Sequence, residues 1–172
     1  LDAIFGTHLW SGIPVGRIEI SKDVLMAGAD SFRITLHGKG GHGSEPHETK
    51  DAITIGAQLV NQLQTIISRE INPMRTAVLS IGKFHAGTAF NVIADKAEID
   101  GTVRYLDLEV QAQIIEAMEK HIKGICLAND ITYTFDYAKG YPPVVNHKKE
   151  AELVTEAKDS IEEIQEIVEV EP

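Results

Sequence analysis

At 172 residues, with 43% hydrophobic and 24% charged side chains, the chain has the length of one ordinary domain and a globular composition, which excludes a disordered or fibrous polymer. Its 16 basic and 26 acidic residues leave a net charge of −10, a repulsive balance for phosphate backbones that argues against nucleic acid as a partner. No apolar run approaches the roughly 20 residues of a membrane helix and no signal peptide is visible, so a cytoplasmic address is expected.

In chain order, the first stretch, LDAIF from Leu1, reads as the middle of a sheet strand, and with no initiator methionine the chain reads as a piece cut from a longer protein. Phe32, Ile34 and Leu36 alternate with Arg33, Thr35 and His37, which predicts a half-buried strand. Asp51 then starts a helix of about 18 residues with Ile53, Ala57, Val60, Leu63 and Ile67 as its apolar stripe, ending before Asn72-Pro73. Thr76 to Gly82 is apolar and β-branched enough for a second strand. Lys96 to Tyr105 alternates as a third, with Ala97, Ile99, Val103 and Tyr105 facing one way. Val110, Ile114, Met118, Ile122 and Ile125 mark a second amphipathic helix, in which the single cysteine, Cys126, is expected to be a buried reduced thiol. Ile131, Tyr133, Phe135 and Tyr137 alternate in a last strand.

The order strand, helix, strand, strand, helix, strand is the split βαβ, or ferredoxin-like, pattern. It predicts an α+β fold over residues 24–139, a four-stranded antiparallel sheet with two helices on one face. Residues 1–23 and 140–172 are then appendages. The second is Glu-rich, reads as a solvated helix, and from Lys148 carries nine acidic against three basic residues.

Four positions are candidates for chemistry. The loop Gly38-Lys39-Gly40-Gly41-His42-Gly43-Ser44-Glu45-Pro46-His47 sets two histidines among glycines, which permit tight turns or close approach of a ligand. The plain alternative is a solvent-exposed turn, and two nitrogens five residues apart make an incomplete metal shell. His8, in Gly6-Thr7-His8-Leu9-Trp10, sits where a strand would give way to a ligand-binding loop, or is a satisfied buried histidine. Asn91, in Gly87-Thr88-Ala89-Phe90-Asn91-Val92-Ile93, offers a donor and an acceptor, or is turn chemistry. Arg104 can fork onto a carboxylate, or pair with Glu98 or Asp100 on its own strand. His37, His85, His121 and His147 have no comparable context.

Taken together, the segments DAIFGTHLWSGIPVG, MAGADSFRITLHGKGGHGSEPH, LQTIISRE, GTAFNVIADKAEIDGTVR and GYPPVVN resemble the metal-dependent amidohydrolases and exopeptidases that include aminoacylase, hippurate hydrolase, the auxin-conjugate hydrolases and N-acetyl-diaminopimelate deacetylase. The resemblance runs from residue 2 to about residue 146. It implies a catalytic domain binding divalent zinc, manganese or cobalt, interrupted by a ferredoxin-like lid that makes the homodimer. It implies that residues 1–23 and 140–172 belong to the catalytic domain and that 24–139 are the lid. His8 matches a metal ligand of the GxHxW motif. His42 matches the lid histidine that steadies the oxyanion in the partner's active site, Asn91 matches a substrate-contacting asparagine, and Arg104 resembles an arginine that meets the substrate carboxylate.

Two positions depart from the family's pattern. Ser11 stands where proline usually follows the tryptophan, and Ala94 replaces the proline of NVIP; each loosens a turn without removing a functional group. The upstream Cys and His motif, the Glu pair that supplies the general base, and the final histidine ligand have no counterpart, so the chain alone is expected to be inactive and to bind no metal. The implied parent reaction is hydrolysis of an N-acyl amino acid by a metal-activated water. A rival reading, a self-contained ferredoxin-like interaction or small-molecule regulatory module, explains the fold but not GTHLW or GGHGSEPH. A histidine metal carrier using His42, His47 and His85 is a third. The piece reading further expects Ile4, Phe5, Leu9 and Trp10 to be poorly covered.

Overall fold

The computed structural model describes residues 2–171, apart from the side chain of Asp159. Leu1, the first residue of the expected opening strand, and Pro172, the last of the acidic appendage, lie outside the described residues. The chain forms two compact units: residues 28–142 make one, and the segments before and after it make the other.

The flanking unit begins with β1 (Arg17–Ile20) and β2 (Val24–Met26). The central unit follows with β3 (Gly28–His37), β4 (Gly41–His42), α1 (Ala52–Thr65), β5 (Ala77–Ala86), β6 (Val92–Ile93), β7 (Lys96–Tyr105), α2 (Leu108–Asn129) and β8 (Thr132–Tyr141). The flanking unit resumes with β9 (Val144–Val145), α3 (Lys148–Ala157) and β10 (Glu166–Glu169). In it β1 pairs in parallel with β10, and β2 pairs antiparallel with β9.

The central sheet has the order β5-β7-β3-β8, every neighbour antiparallel, which is the ferredoxin-like arrangement expected from the element order. Phe32, Ile34 and Leu36 of β3 and Ala97, Ile99 and Val103 of β7 face α1 and α2, against which they build the core. Asp51 caps α1 by accepting the Ile53 N–H at 2.9 Å, and Asp107 caps α2 through the Glu109 N–H at 2.7 Å. Asp130 ends α2 in the left-handed conformation, φ 54°, which a short polar side chain tolerates.

Three sequence expectations are corrected here. The buried stripe of α1 and the turn after it is Ala52, Ile55, Leu59, Leu63 and Ile66, whereas Ile53 and Ala57 are exposed. The isoleucines at 53 and 55 satisfy two helical registers, and only docking on the sheet selects between them. The helix also closes on a π-helical turn, Ile66–Glu70, before Asn72. β5 runs on to Ala86 because a register shift between Ile81 and Lys83 breaks the alternation that would have shown it. Residues 2–10 form no strand, since no described segment pairs with them. Ile4, Phe5, Leu9 and Trp10 are all exposed, Leu9 at 96%. Among the described residues, no helix is long and apolar enough to cross a membrane.

Candidate functional site

The glycine-rich loop after β3 and the loop between β5 and β7 are sewn together by backbone hydrogen bonds. Gly38 N–H donates to the Asp95 carbonyl at 2.7 Å, Gly43 N–H to Asn91 at 2.9 Å and Ala52 N–H to Ala94 at 3.1 Å. Between them β4 and β6 pair antiparallel, Gly41 opposite Ile93 and His42 opposite Val92. A Cβ on Gly43 would lie 2.9 Å from the Asn91 carbonyl oxygen, so the glycine is what lets the two backbones touch. His42 and Asn91, 49 residues apart in sequence, are thereby held side by side.

The His42 ring is exposed. Its Nδ1 accepts the Ser44 backbone N–H at 3.3 Å and lies 2.8 Å from Ser44 Oγ. An Nδ1 that accepts an amide proton leaves the proton of the neutral ring on Nε2. Among the described residues nothing bonds Nε2, so the ring presents an outward N–H donor. The Asn91 side chain is also exposed, and its backbone is fixed by the Gly43 bond. An outward N–H donor on a pinned turn is suited to stabilising oxygen charge on a bound carbonyl.

Arg104 lies elsewhere. It sits eight residues along β7 from Lys96, roughly 26 Å at strand rise, at the end of the sheet away from β6. Its expected ion pair with Glu98 or Asp100 does not form. Asp100 is gripped from the neighbouring strands, by Arg33 at 2.7 and 2.9 Å and by Lys83 at 3.4 Å, and Glu98 by Lys96 at 2.6 Å. Residues directly across a sheet are about 5 Å apart, whereas four residues along one strand span about 13 Å, so for Asp100 the cross-strand partners win, while Glu98 is taken by Lys96, two residues away on the same strand and nearer than Arg104. Arg104 instead donates to Thr102 Oγ1 and, at 3.1 Å, to the Val103 carbonyl. The Arg33 guanidinium holds the Asp100 carboxyl down at about 2.

His8 belongs to the flanking unit. It is exposed, not buried, with Nδ1 donating to the Leu9 carbonyl at 2.7 Å and its ring centre 5.5 Å from that of Trp10. That bond leaves the Nε2 lone pair free, the form in which imidazole binds a metal. Yet among the described residues no three His, Cys, Asp or Glu side chains converge, so His8 fits as one ligand of a shell whose other members do not lie among them. His47 lies 3.7 Å from the Glu48 carboxylate.

Sequence reasoning missed one polar cluster. Asp30 is 3% exposed and its carboxylate accepts from Gln111 Nε2 at 2.6 Å, Tyr137 OH at 2.8 Å, Gly140 N–H at 2.8 Å and Tyr105 OH at 3.3 Å. Burial, reinforced by Asp30, pushes the Tyr137 and Tyr105 hydroxyls up, keeping both as donors. The signal was in the alternation: position 30 shares a face with Phe32, Ile34 and Leu36.

Comparison with known proteins places the chain in a family. The family model of the M20 peptidase dimerisation domain matches residues 26–130. The N-acyl-L-amino acid amidohydrolase of Geobacillus stearothermophilus is 46% identical over 86% of this chain and 40% of its own length. YhaA of Bacillus subtilis (strain 168) is 45% identical over 99% of this chain and 43% of its own. The crystal structure of the Bacillus subtilis YXEP protein, described as a dinuclear metal binding peptidase from the M20 family, superposes with a TM-score of 0.73 at 29% identity, over 95% of this chain and 40% of that one. The chain thus spans about two-fifths of the length of the curated relatives it matches.

Proposed function

The chain belongs to the M20 peptidase dimerisation-domain family, and on that premise we propose that it is the lid and dimerisation domain, with adjoining catalytic-domain segments, of a metal-dependent N-acyl-amino-acid amidohydrolase. Residues 24–139 are the lid, and 1–23 with 140–172 are parts of the catalytic domain. The exposed apolar side chains of Ile4, Phe5, Leu9 and Trp10 support the second assignment, because such a row calls for a covering surface. The parent is a homodimer joined through its lids, acting on a small N-acyl amino acid without nucleic acid or membrane.

The observation that carries this reading is the clip that fixes His42 beside Asn91 with the His42 Nε2–H turned outward. His42 and Asn91 meet the substrate in the partner's active site, His42 donating to the carbonyl oxygen as it gains charge and Asn91 orienting the substrate, while Arg104, at the other end of the sheet, receives the carboxylate of the substrate bound in its own protomer. His8 contributes one nitrogen to the catalytic domain's metal site. Zinc, manganese or cobalt bound there would supply an activated water for amide hydrolysis.

The test is steady-state kinetics of the full-length parent on N-acyl amino acids. His42→Ala lowers kcat by about 100-fold or more, the usual cost of one oxyanion donor, with the dimer intact by sedimentation. A kcat within threefold of wild type would remove His42 from the chemistry.

A further inference from the structure

The same clip sets one apolar side chain, Val92, across from the His42 donor, and carries a second, Phe90, on the turn that leads into it. Val92 is directly opposite His42 in the antiparallel register, and such partners project from one face with Cβ atoms about 5 Å apart. Val92 is 46% exposed. Two residues earlier, and adjacent to Asn91, Phe90 is fully exposed. An uncovered Phe forgoes the burial of its ring, which a fraying loop would tolerate. This turn is fastened: Val92 N–H donates to the Ala89 carbonyl at 3.4 Å, Gly43 N–H to Asn91 at 2.9 Å, and Gly87 turns the chain at φ 79° against Ile53. The ring is held out on a rigid support, flanked by the residues that address the scissile carbonyl.

We propose that Phe90 and Val92 are the acyl-side wall of the substrate site and make the parent selective for N-acyl amino acids with a bulky apolar acyl group, aromatic or medium-chain, over N-acetyl ones. The inference rests on the amidohydrolase reading above. With the amide carbonyl at His42 Nε2, the acyl substituent is the part of the substrate nearest this pair. A methyl is too small to cover Phe90, whereas a phenyl ring can stack on it and the pentyl chain of a hexanoyl group can reach toward Val92. Gly87, Thr88 and Ala89, which lead into Phe90, are small, so little of the protein's own bulk competes for the ring.

The experiment uses the full-length parent enzyme and three derivatives of one amino acid, N-acetyl, N-hexanoyl and N-benzoyl. The wild type is expected to favour benzoyl and hexanoyl over acetyl in kcat/KM. Phe90→Ala is expected to cut each of those selectivity ratios about tenfold, within the range one apolar contact supplies, while Phe90→Trp keeps them. Ratios unchanged in Phe90→Ala would overturn the wall. Dissociation of the Phe90→Ala dimer would overturn it too, since Phe90 would then be covered by protein. A wild type that hydrolyses none of the three would instead sink the amidohydrolase reading, so the two failures are told apart.

Discussion

Replacing Asp30 with alanine removes the common acceptor of four donors: Gln111 Nε2, Tyr137 OH, Gly140 N–H and Tyr105 OH. Gln111 keeps the Tyr105 hydroxyl, 2.7 Å from its Nε2, so three donors lose their acceptor. A buried unsatisfied donor costs about 1–3 kcal/mol. Tyr137 and Gly140 are only partly buried and can recover some of that from water, and loss of a desolvated carboxylate with no cation beside it returns some stability. The balance is a destabilisation of about 3 kcal/mol, with Tyr137→Phe, which removes one donor and leaves the carboxylate three, nearer 1 kcal/mol. Urea unfolding of the 172-residue chain followed by far-UV circular dichroism measures both. The single tryptophan, Trp10, lies in the flanking unit and would report the wrong transition. An Asp30→Ala loss below about 1 kcal/mol, or a Tyr137→Phe loss that equals it, would mean that water satisfies these donors and that the cluster does not hold the strand ends together.

Gly101→Ala places a Cβ into the Phe32 ring and 2.5 Å from the Ser80 carbonyl oxygen; the same unfolding assay should show a loss of about 3 kcal/mol, and near-neutral stability would show that Phe32 repacks freely. Asp100, held at about 2 by Arg33, contributes stability that is fully present above the ordinary carboxylate range near 4 and is lost as pH falls through about 2. Carbon-13 titration of its carboxyl should show that midpoint, and Arg33→Met should bring it up toward 3.8.

The helices and the four long strands were legible because one buried face per element imposes a period of 2 or 3.6 on the sequence. Val110 to Ile125 and Lys96 to Tyr105 carry that period without ambiguity, and the structure buries those faces. α1 was placed but rotated, since Ile53 and Ile55 both offer an apolar stripe. The short strands were not legible: β4 and β6 have two residues each, too few for any period, and exist only because two distant loops meet. For the same reason the residues of the clip could be named from resemblance to a family, but their juxtaposition could not. The acidic appendage contains the expected helix, α3, and also β10, whose Glu166-Ile167-Val168-Glu169 needs a partner about 150 residues upstream. Arg104's missing ion pair has a similar origin, because cross-strand neighbours are set by register and not by distance along the chain.

The parallel pair of β1 and β10 has a consequence for the order in which the protein forms. Arg17 is opposite Glu166, so closing that contact in an unstructured chain means closing a loop of about 150 residues. Ala29 and Tyr141 are themselves paired where the central sheet begins and ends, so once that sheet has formed the remaining slack is only about 37 residues. Loop-closure entropy grows with the logarithm of length, and the shortening lowers the cost of joining β1 to β10 by about 1 kcal/mol. The central unit closes its own longest strand contact, Ala29 with Tyr141, across 112 residues and without help from β1 or β10. It acts as a template that brings the two halves of the interrupted unit within reach of each other, so a destabilised central sheet would delay assembly of a unit whose own residues are unchanged.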